Sequence, residues 1–329
     1  MASPSKRLST NVDGDFFVDA TCIDCGTCRW MAPGTFDRMG DHSRVHTQPK
    51  SQEGIRAALK ALVACPTASI GTFDKHDVRA VAASFPDCIA DSVYHCGYHS
   101  EDSFGAASYL IVRPGANVLV DSPRFTKPLV RRLEELGGVQ TMFLTHQDDV
   151  ADHQHFREHF GCERILHRHD VGPDTRSIER IVEGTDAIAI DDDLTMLPVP
   201  GHTLGSMCLL YRDTFLFSGD HVAWDRRREA WLPDLPTVAE SGVPGFAVTQ
   251  WYGVLAPKRT PDPIAEFHGH QRIEAEFAQR TLRIDDGSRA VPCDPGTKRS
   301  RLGGCCGENR DHCPRQRHSA SSGCKNRFT

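Results

Sequence analysis

The sequence CIDCGTC at residues 22–28, together with the pair Cys65-Pro66, decides the first part of the fold. It supplies three cysteines separated by two-residue spacers and a fourth cysteine far downstream. A cubic iron–sulfur cluster needs four converging thiolates, and a tight loop with these spacers provides three of them. The chain has one such triplet, so Cys65 is expected to complete the same cluster, and Pro66 turns the chain away from it. The pattern therefore predicts a 4Fe–4S cluster held by Cys22, Cys25, Cys28 and Cys65.

A zinc ion bound by the same four cysteines is the alternative. Structural zinc sites usually take their cysteines as two separated pairs, whereas three of these cysteines follow one another closely, which favours the cluster. A short strand predicted at residues 15–19 and a helix predicted at 51–63, which delivers Cys65, flank the motif. Over about 60 residues this segment resembles the single-cluster bacterial ferredoxins.

Short apolar runs alternate with helical patterns between residues 88 and 226 and predict an α/β arrangement of sheets and helices. Three polar motifs follow predicted strands: THQDDVADH at 145–153, PGHTLGS at 200–206 and SGDH at 218–221. Imidazoles and carboxylates at strand ends can enclose one or two metal ions. In order and spacing, the three motifs resemble the metallo-β-lactamase superfamily.

This resemblance implies a metal site and an activity. The implied metal ligands are His146, Asp148, Asp152, His153, His202 and Asp220, with His202 and Asp220 also expected to be catalytic. A bound metal lowers the pKa of its water to about 7, so metal-bound hydroxide would attack an ester, thioester or amide carbonyl. The expected cofactors are the 4Fe–4S cluster and one or two zinc, iron or manganese ions.

The first motif departs from the usual His-x-His-x-Asp-His pattern of that superfamily. Asp148 stands where the second histidine is expected, and Asp152-His153 comes two residues late. The richer oxygen content suits iron or manganese better than zinc. The alternative is a helix N-terminus at which Asp148 and Asp149 favour the positive end of the helix.

The second half of the metallo-β-lactamase-like fold does not follow Trp224. Residues 231–264 instead resemble a fragment of the Bug-type receptors of tripartite tricarboxylate transporters. The basic segment from residue 287 has few large apolar residues, as expected of disorder or of a gene fusion followed by a frameshift. The predicted domains are a disordered leader (1–15), a ferredoxin-like 4Fe–4S domain (16–74), the first half of a metallo-β-lactamase-like domain (88–226), a receptor-like fragment (227–264) and a disordered tail (265–329).

Composition narrows the partners and the location. The 329 residues are 39% apolar and 25% charged, with a formal net charge of −6, so neither nucleic acid nor an anionic membrane is an expected partner. No apolar run reaches the roughly 20 residues of a membrane span, and the polar start lacks the apolar stretch of a secretory signal. We expect a cytoplasmic protein with a redox partner and a small-molecule substrate.

The predicted fold class is α+β: a small ferredoxin-like domain, an incomplete αββα metallo-β-lactamase-like domain and an irregular C-terminal region. The leading hypothesis is an iron–sulfur protein with a metal-dependent hydrolase domain. The alternative is a ferredoxin-type electron-transfer protein whose truncated hydrolase domain is inactive.

Overall fold

The computed structural model of the protein describes residues 2–225 and 230–231. The tail predicted at 265–329 lies outside the described residues, as does nearly all of the receptor-like fragment. Among the described residues, no helix combines the length and apolar character needed to cross a bilayer.

The first domain is built from short elements around the cysteines. In chain order they are β1 (Phe16–Val18), α1 (Thr27–Met31), β2 (Phe36–Met39), β3 (His42–Val45), α2 (Gln52–Ala64), β4 (Ile70–Thr72) and α3 (Val78–Ala82). Strands β1 and β4 pair antiparallel, and β2 and β3 form a hairpin. The Ser51 side chain caps α2 by accepting from the Gly54 N–H at 3.0 Å, as expected of an N-cap serine. Helix α2 ends at Ala64 with Cys65 as its C-cap, and Pro66 prevents its continuation.

The described part of the leader is fixed to this domain, in contrast to the disorder predicted for it. Arg7 forms a β-bridge with Asp19. The buried Asn11 side chain accepts from the Val18 and Val45 N–H groups and donates to the Val18 carbonyl. One amide group thus satisfies backbone groups of two strands, and composition alone does not reveal this.

The second domain contains two sheets and two longer helices. Its elements are β5 (Asp87–Ala90), β6 (Val93–His95), β7 (Tyr109–Ile111), β8 (Val118–Val120), α4 (Lys127–Glu135), β9 (Thr141–Phe143), α5 (His153–Phe160), β10 (Glu163–His167), β11 (Arg180–Val182), β12 (Ile188–Ala189), β13 (Leu194–Pro198), β14 (Met207–Tyr211) and β15 (Phe215–Phe217). A strand pair, β16 (Val222–Asp225) and β17 (Ala230–Trp231), follows. The first sheet has the order β11-β10-β9-β8-β7-β6-β5, and the second is the antiparallel meander β12-β13-β14-β15.

The two faces of the large sheet bury different partners. Leu110, Leu119 and Met142 share a core with Leu133 of α4 and Phe156 of α5. Ile111, Val118 and Phe143, their neighbours along the strands, share a core with the second sheet through residues such as Leu209. Successive residues of a strand face opposite sides, so this alternation produces one helical layer and two sheet layers. The fold is therefore α+β, with a ferredoxin-like domain followed by part of an αββα arrangement.

Candidate metal centres

The first centre gathers the four predicted cysteines. Cys22 and Cys25 lie in the loop before α1, Cys28 lies within α1, and Cys65 caps the C-terminus of α2. Cys28 and Cys65 are buried. Burial raises the pKa of the Cys28 thiol, and charge on the other three cysteines raises it further. The four sulfurs are therefore close enough to interact electrostatically.

The surroundings of these sulfurs suit a cluster. The Ser43 N–H donates to Cys22 Sγ at 3.4 Å, and the Ser69 N–H donates to Cys65 Sγ at 3.3 Å. Hydrogen bonds to sulfur are a recognised means of tuning iron–sulfur clusters. Burial raises the pKa of Cys25 as well, and coordination to metal would remove these protons.

The spacing of the sulfurs also distinguishes a cluster from a single ion. In the described part of the chain, the groups whose ligand atoms all lie within 4.8 Å of one another contain histidines and aspartates, not these cysteines. Sulfurs about 2.3 Å from one tetrahedral zinc ion would lie within about 4 Å of each other. The cysteine centre therefore fits the larger 4Fe–4S cluster.

The second centre lies where several strands of both sheets end. His146 follows β9, His202 lies in the loop after β13, and Asp220 lies in the turn after β15. This turn comes close to the end of β9: Gly219 has φ +49°, and a Cβ there would collide with Thr145 Oγ1. Glycine at this position therefore permits Asp220 to approach His146.

Distances define this centre, which we call the histidine–aspartate centre. His146 Nε2 lies 3.7 Å from Asp148 Oδ2 and 3.9 Å from Asp220 Oδ2. His202 Nε2 lies 3.2 Å from Asp148 Oδ2 and 3.7 Å from Asp220 Oδ2. Asp149 Oδ2 lies 3.8 Å from the other imidazole nitrogen, Nδ1, of His146. Two groups could each hold an ion: His146, Asp148 and His202, and His146, Asp149 and Asp220.

Buried polar atoms at this centre fit a bound cation. His146 Nε2 is buried and has no hydrogen-bond partner among the described residues, and neither ring nitrogen of His221 has one there. Burial lowers the pKa of His146, and burial, together with nearby His202, lowers that of His221 to about 4. Both rings are thus neutral at pH 7, the form that binds metal.

Carboxylates crowd the inner side of the centre. Burial raises the pKa of Asp149, and the charges of Asp121 and Asp220 raise it further. Burial, followed by the charge of Asp220, raises the pKa of Asp121 to about 7. Asp121 and Asp149 also line a cavity of about 10 Å³, roughly the space of one water molecule. A cation would offset the repulsion among these carboxylates.

Two of the predicted ligands lie elsewhere. Asp152 Oδ2 accepts from the Phe125 N–H at 2.6 Å, and His153 Nδ1 lies 3.0 Å from Arg164 Nη1. Helix α5 begins at His153, so this side chain is directed into the packing between α5 and β10 rather than to the strand end. The structure thus brings together His146, Asp148, His202 and Asp220, but not Asp152 or His153.

Three further residues belong to the surroundings of this centre. The alternative interpretation of the first motif gives Asp149 a place at a helix N-terminus, whereas in the structure Asp149 is buried beside His146. His221 is the last residue of the motif at 218–221, and Asp121 directly follows β8. Neither residue is among the ligands that the resemblance implies. The sequence indicates these three residues only by their position: each follows an apolar strand, at the same sheet edge as the three motifs.

The fold and the two centres define a class: an α+β iron–sulfur protein in which a ferredoxin-like domain precedes a domain with a histidine–aspartate centre. In particular, residues 18–72 match the 4Fe–4S single cluster domain of Ferredoxin I. Residues 221–269 match the tripartite tricarboxylate transporter family receptor. The UPF0065 protein in the tcbD–tcbE intergenic region of Pseudomonas sp. (strain P51) is 52% identical over 51 residues, which are 15% of this chain and 14% of that protein.

Solved structures similar to part of the chain are metallo-β-lactamases. BJP-1 of Bradyrhizobium japonicum is 19% identical with a TM-score of 0.30, and the match covers 37% of this chain and 54% of that one. GOB-18 from Elizabethkingia meningoseptica is 23% identical with a TM-score of 0.30, over 38% and 54% of the two chains. The chain thus spans about half the length of these proteins.

Proposed function

We propose that the histidine–aspartate centre is the active site of a metal-dependent hydrolase that acts on an ester, thioester or amide. The observation that carries the proposal is the convergence of two imidazoles and two carboxylates from three separate loops, all within 3.9 Å of a neighbouring ligand atom. Ligands from several loops at strand ends form a site that is fixed by the sheets and open to substrate.

Each residue has a role that follows from its position. His146, His202 and Asp148 would hold one ion, and Asp220, whose Oδ2 lies within 3.9 Å of Nε2 of both imidazoles, would add a further carboxylate ligand. Thr145 Oγ1 lies 2.9 Å from His146 Nδ1 and fixes the ring so that Nε2 faces the centre. A divalent metal held by these residues would lower the pKa of its water, so that hydroxide would be available at neutral pH. The Asp148 side chain is 56% exposed and marks the solvent side.

The donor set also limits the metal. Two imidazoles with two or three carboxylates suit iron, manganese or zinc, and the oxygen-rich composition favours the first two. Among the described residues, no thiolate belongs to this centre. The cysteine centre and the histidine–aspartate centre therefore offer different types of ligand to a metal. Iron–sulfur assembly and loading of the second centre can therefore be measured separately.

The test is hydrolysis of generic thioesters and esters by protein with an intact cluster that has been loaded with Fe²⁺, Mn²⁺ or Zn²⁺. His202→Ala should lose roughly 100-fold or more, since loss of even an outer partner of a metal ligand costs 10–100-fold. His155→Ala is the control, because His155 is exposed on α5, away from the centre. Equal activity of the His202→Ala and wild-type proteins would contradict the proposal.

A second candidate function is electron transfer without hydrolysis. It is supported by the placement of His153, which contacts Arg164 and so leaves the centre with fewer imidazoles than the resemblance implied. Iron, acid-labile sulfide and zinc per chain, measured on protein purified without oxygen, separate the candidates. About four sulfides with additional metal support the hydrolase. Four sulfides with matching iron and no further metal support the electron carrier.

A further inference from the structure

The loop between β6 and β7, residues 96–108, reaches from the second domain to the cysteine centre. Gly105 in this loop packs directly on Cys25: a Cβ at Gly105 would lie 2.8 Å from Cys25 Cβ and 3.0 Å from its Sγ. Gly105 has φ +83°, a conformation that glycine adopts readily. The second domain therefore forms part of the immediate environment of one cluster ligand.

The hydrogen-bond directions in this loop follow from its geometry. His99 Nδ1 lies 2.6 Å from the Gly105 carbonyl oxygen, which can only accept, so Nδ1 carries the proton. His99 Nε2 lies 2.9 Å from His95 Nε2 and must therefore accept from it. Both rings are buried, and burial lowers the pKa of His99 to about 4. His99 is thus neutral at pH 7, with its tautomer fixed by its neighbours.

This tautomer restricts the hydroxyl proton of Thr27. Thr27 Oγ1 lies 3.2 Å from His99 Nδ1, 3.3 Å from the Gly105 carbonyl and 3.4 Å from Cys25 Sγ. His99 Nδ1 is already protonated and cannot accept, and the Gly105 carbonyl, which accepts the shorter bond from His99, offers Thr27 only its second lone pair at 3.3 Å. A cluster-bound thiolate has no proton and can accept. The Thr27 hydroxyl is therefore directed to the sulfur.

We propose that His99 is a positioning residue for the iron–sulfur cluster: by occupying the Gly105 carbonyl it directs the Thr27 hydroxyl proton to Cys25 Sγ and so raises the reduction potential. A hydrogen bond to sulfur stabilises the additional negative charge of the reduced cluster, and such bonds are among the determinants of cluster potential. The inference concerns the cluster alone and is independent of hydrolase activity.

The experiment measures the midpoint potential of the cluster in the full chain, purified without oxygen and shown to contain four sulfides. Thr27→Val removes the hydroxyl with little change in shape and should lower the potential. A tenfold change in the ratio of oxidised to reduced cluster at a fixed potential corresponds to 59 mV. Thr27→Ser keeps the hydroxyl and should therefore have the wild-type potential. His99→Phe or His99→Leu frees the Gly105 carbonyl for Thr27 and should lower the potential as well.

A double variant tests whether the two residues act together. The midpoint potential of the variant that combines Thr27→Val with the His99 substitution should be no lower than that of Thr27→Val alone, because both changes remove the same hydrogen bond to Cys25 Sγ. Thr67→Val is the matched control: Thr67 Oγ1 lies 3.7 Å from Cys65 Sγ, and its effect should add to that of the His99 substitution. A wild-type potential in Thr27→Val or in the His99 variants, or additive shifts in the double variant, would overturn the proposal. A sulfide count near zero in the wild-type chain would instead reject the cluster assignment.

Discussion

At the residue scale, Asp170 connects the loops that carry the metal ligands. Its carboxylate accepts from the Gln147 N–H at 3.0 Å, the Gly205 N–H at 3.0 Å and the Thr203 hydroxyl at 2.6 Å. The first donor follows His146, and the other two lie in the loop of His202. Asp170 is buried, so its charge depends on these donors for stabilisation. One side chain therefore sets the separation of the two imidazoles.

Asp170→Asn should weaken metal binding at the histidine–aspartate centre by about 10–100-fold, the usual effect of losing an outer partner. The amide retains one acceptor oxygen but presents an NH₂ group to the other donors, and the loops must separate. Competition with a chelator measures the affinity. Asp186→Asn, on an exposed residue, should bind like the wild type. An unchanged affinity in Asp170→Asn would show that the loops are held by other contacts.

Some of the candidate site could be read from single residues and some could not. His146, His202 and Asp220 follow recognisable apolar strands, and the strand ends bring them together. Asp152-His153 matches the expected residue types, but two additional residues place this pair at the start of α5. The spacing of residue types in the sequence cannot reveal whether the two additional residues leave these side chains directed to the centre or away from it.

At the element scale, short apolar runs, helical spacing and turn residues predict most of the second domain. The apolar runs at residues 141–145 and 207–211 predict strands, and these correspond to β9 and β14 (Thr141–Phe143 and Met207–Tyr211). The helical spacing of residues 149–160 predicts a helix from Asp149, but α5 begins only at His153, because residues 147–149 form a 3₁₀ turn. No pattern in the sequence predicts β5 and β6, since each is short and mixes polar with apolar residues.

The packing of α5 against the sheet depends on a buried arginine. Arg164 in β10 is 1% exposed and pairs with Glu179 at 3.0 Å, with further donations to Gln154 and the Ser177 carbonyl. Burial alone would raise the pKa of Glu179, but hydrogen bonds from Arg164 outweigh it and the pKa is lowered. The pair thus stabilises the folded state while Glu179 is ionised.

Arg164→Met should destabilise the protein by about 3 kcal/mol, the lower end of the range for breaking a buried pair, because part of Glu179 remains exposed. This corresponds to roughly 10 °C in melting temperature. The matched control, Arg168→Met, removes an exposed pair with Glu183 and should change stability by less than about 1 kcal/mol.

The effect of Arg164→Met should also depend on pH. A lowered pKa in the folded state contributes stability above the ordinary glutamate value of 4.5, and this contribution is lost as pH falls and Glu179 becomes protonated. Thermal melts at pH 7 and pH 3.5 should therefore show a smaller difference between wild type and variant in acid. An equal difference at both values would assign the loss to packing rather than to the ion pair.

At the scale of the whole molecule, the second domain completes the first. Arg124 donates to the Val63 and Cys65 carbonyls at the C-terminus of α2, at 3.1 and 3.3 Å, and the His99 N–H donates to the Ala64 carbonyl at 3.2 Å. These are helix-end carbonyls that the helix itself leaves unpaired. The second domain therefore fixes the end of the helix that delivers Cys65. No sequence motif marks these contacts.

Contact with the cysteine centre distinguishes two glycines that have almost identical backbone conformations. Gly105 has φ +83° and Gly115 has φ +85°, so alanine at either position is strained by about 1–2 kcal/mol. A Cβ at Gly115 meets nothing within 4 Å, whereas one at Gly105 would lie 2.8 Å from Cys25 Cβ and 3.2 Å from Pro66 Cγ. The substitutions therefore share their strain and differ in their contact with the cysteine centre.

Gly115→Ala should lower the melting temperature by a few degrees and leave the sulfide content and the lifetime of the cluster unchanged. Gly105→Ala should add a loss of cluster, because the methyl group separates the loop from Cys25 and admits water to the sulfur. The rate at which visible absorbance fades in the presence of an iron chelator measures this lifetime. If both variants fade at the wild-type rate, the second domain covers the cysteine centre without protecting the cluster. If Gly105→Ala alone fades faster, the ferredoxin-like domain depends on the second domain to retain its cofactor, and that dependence would hold whether or not the histidine–aspartate centre is catalytic.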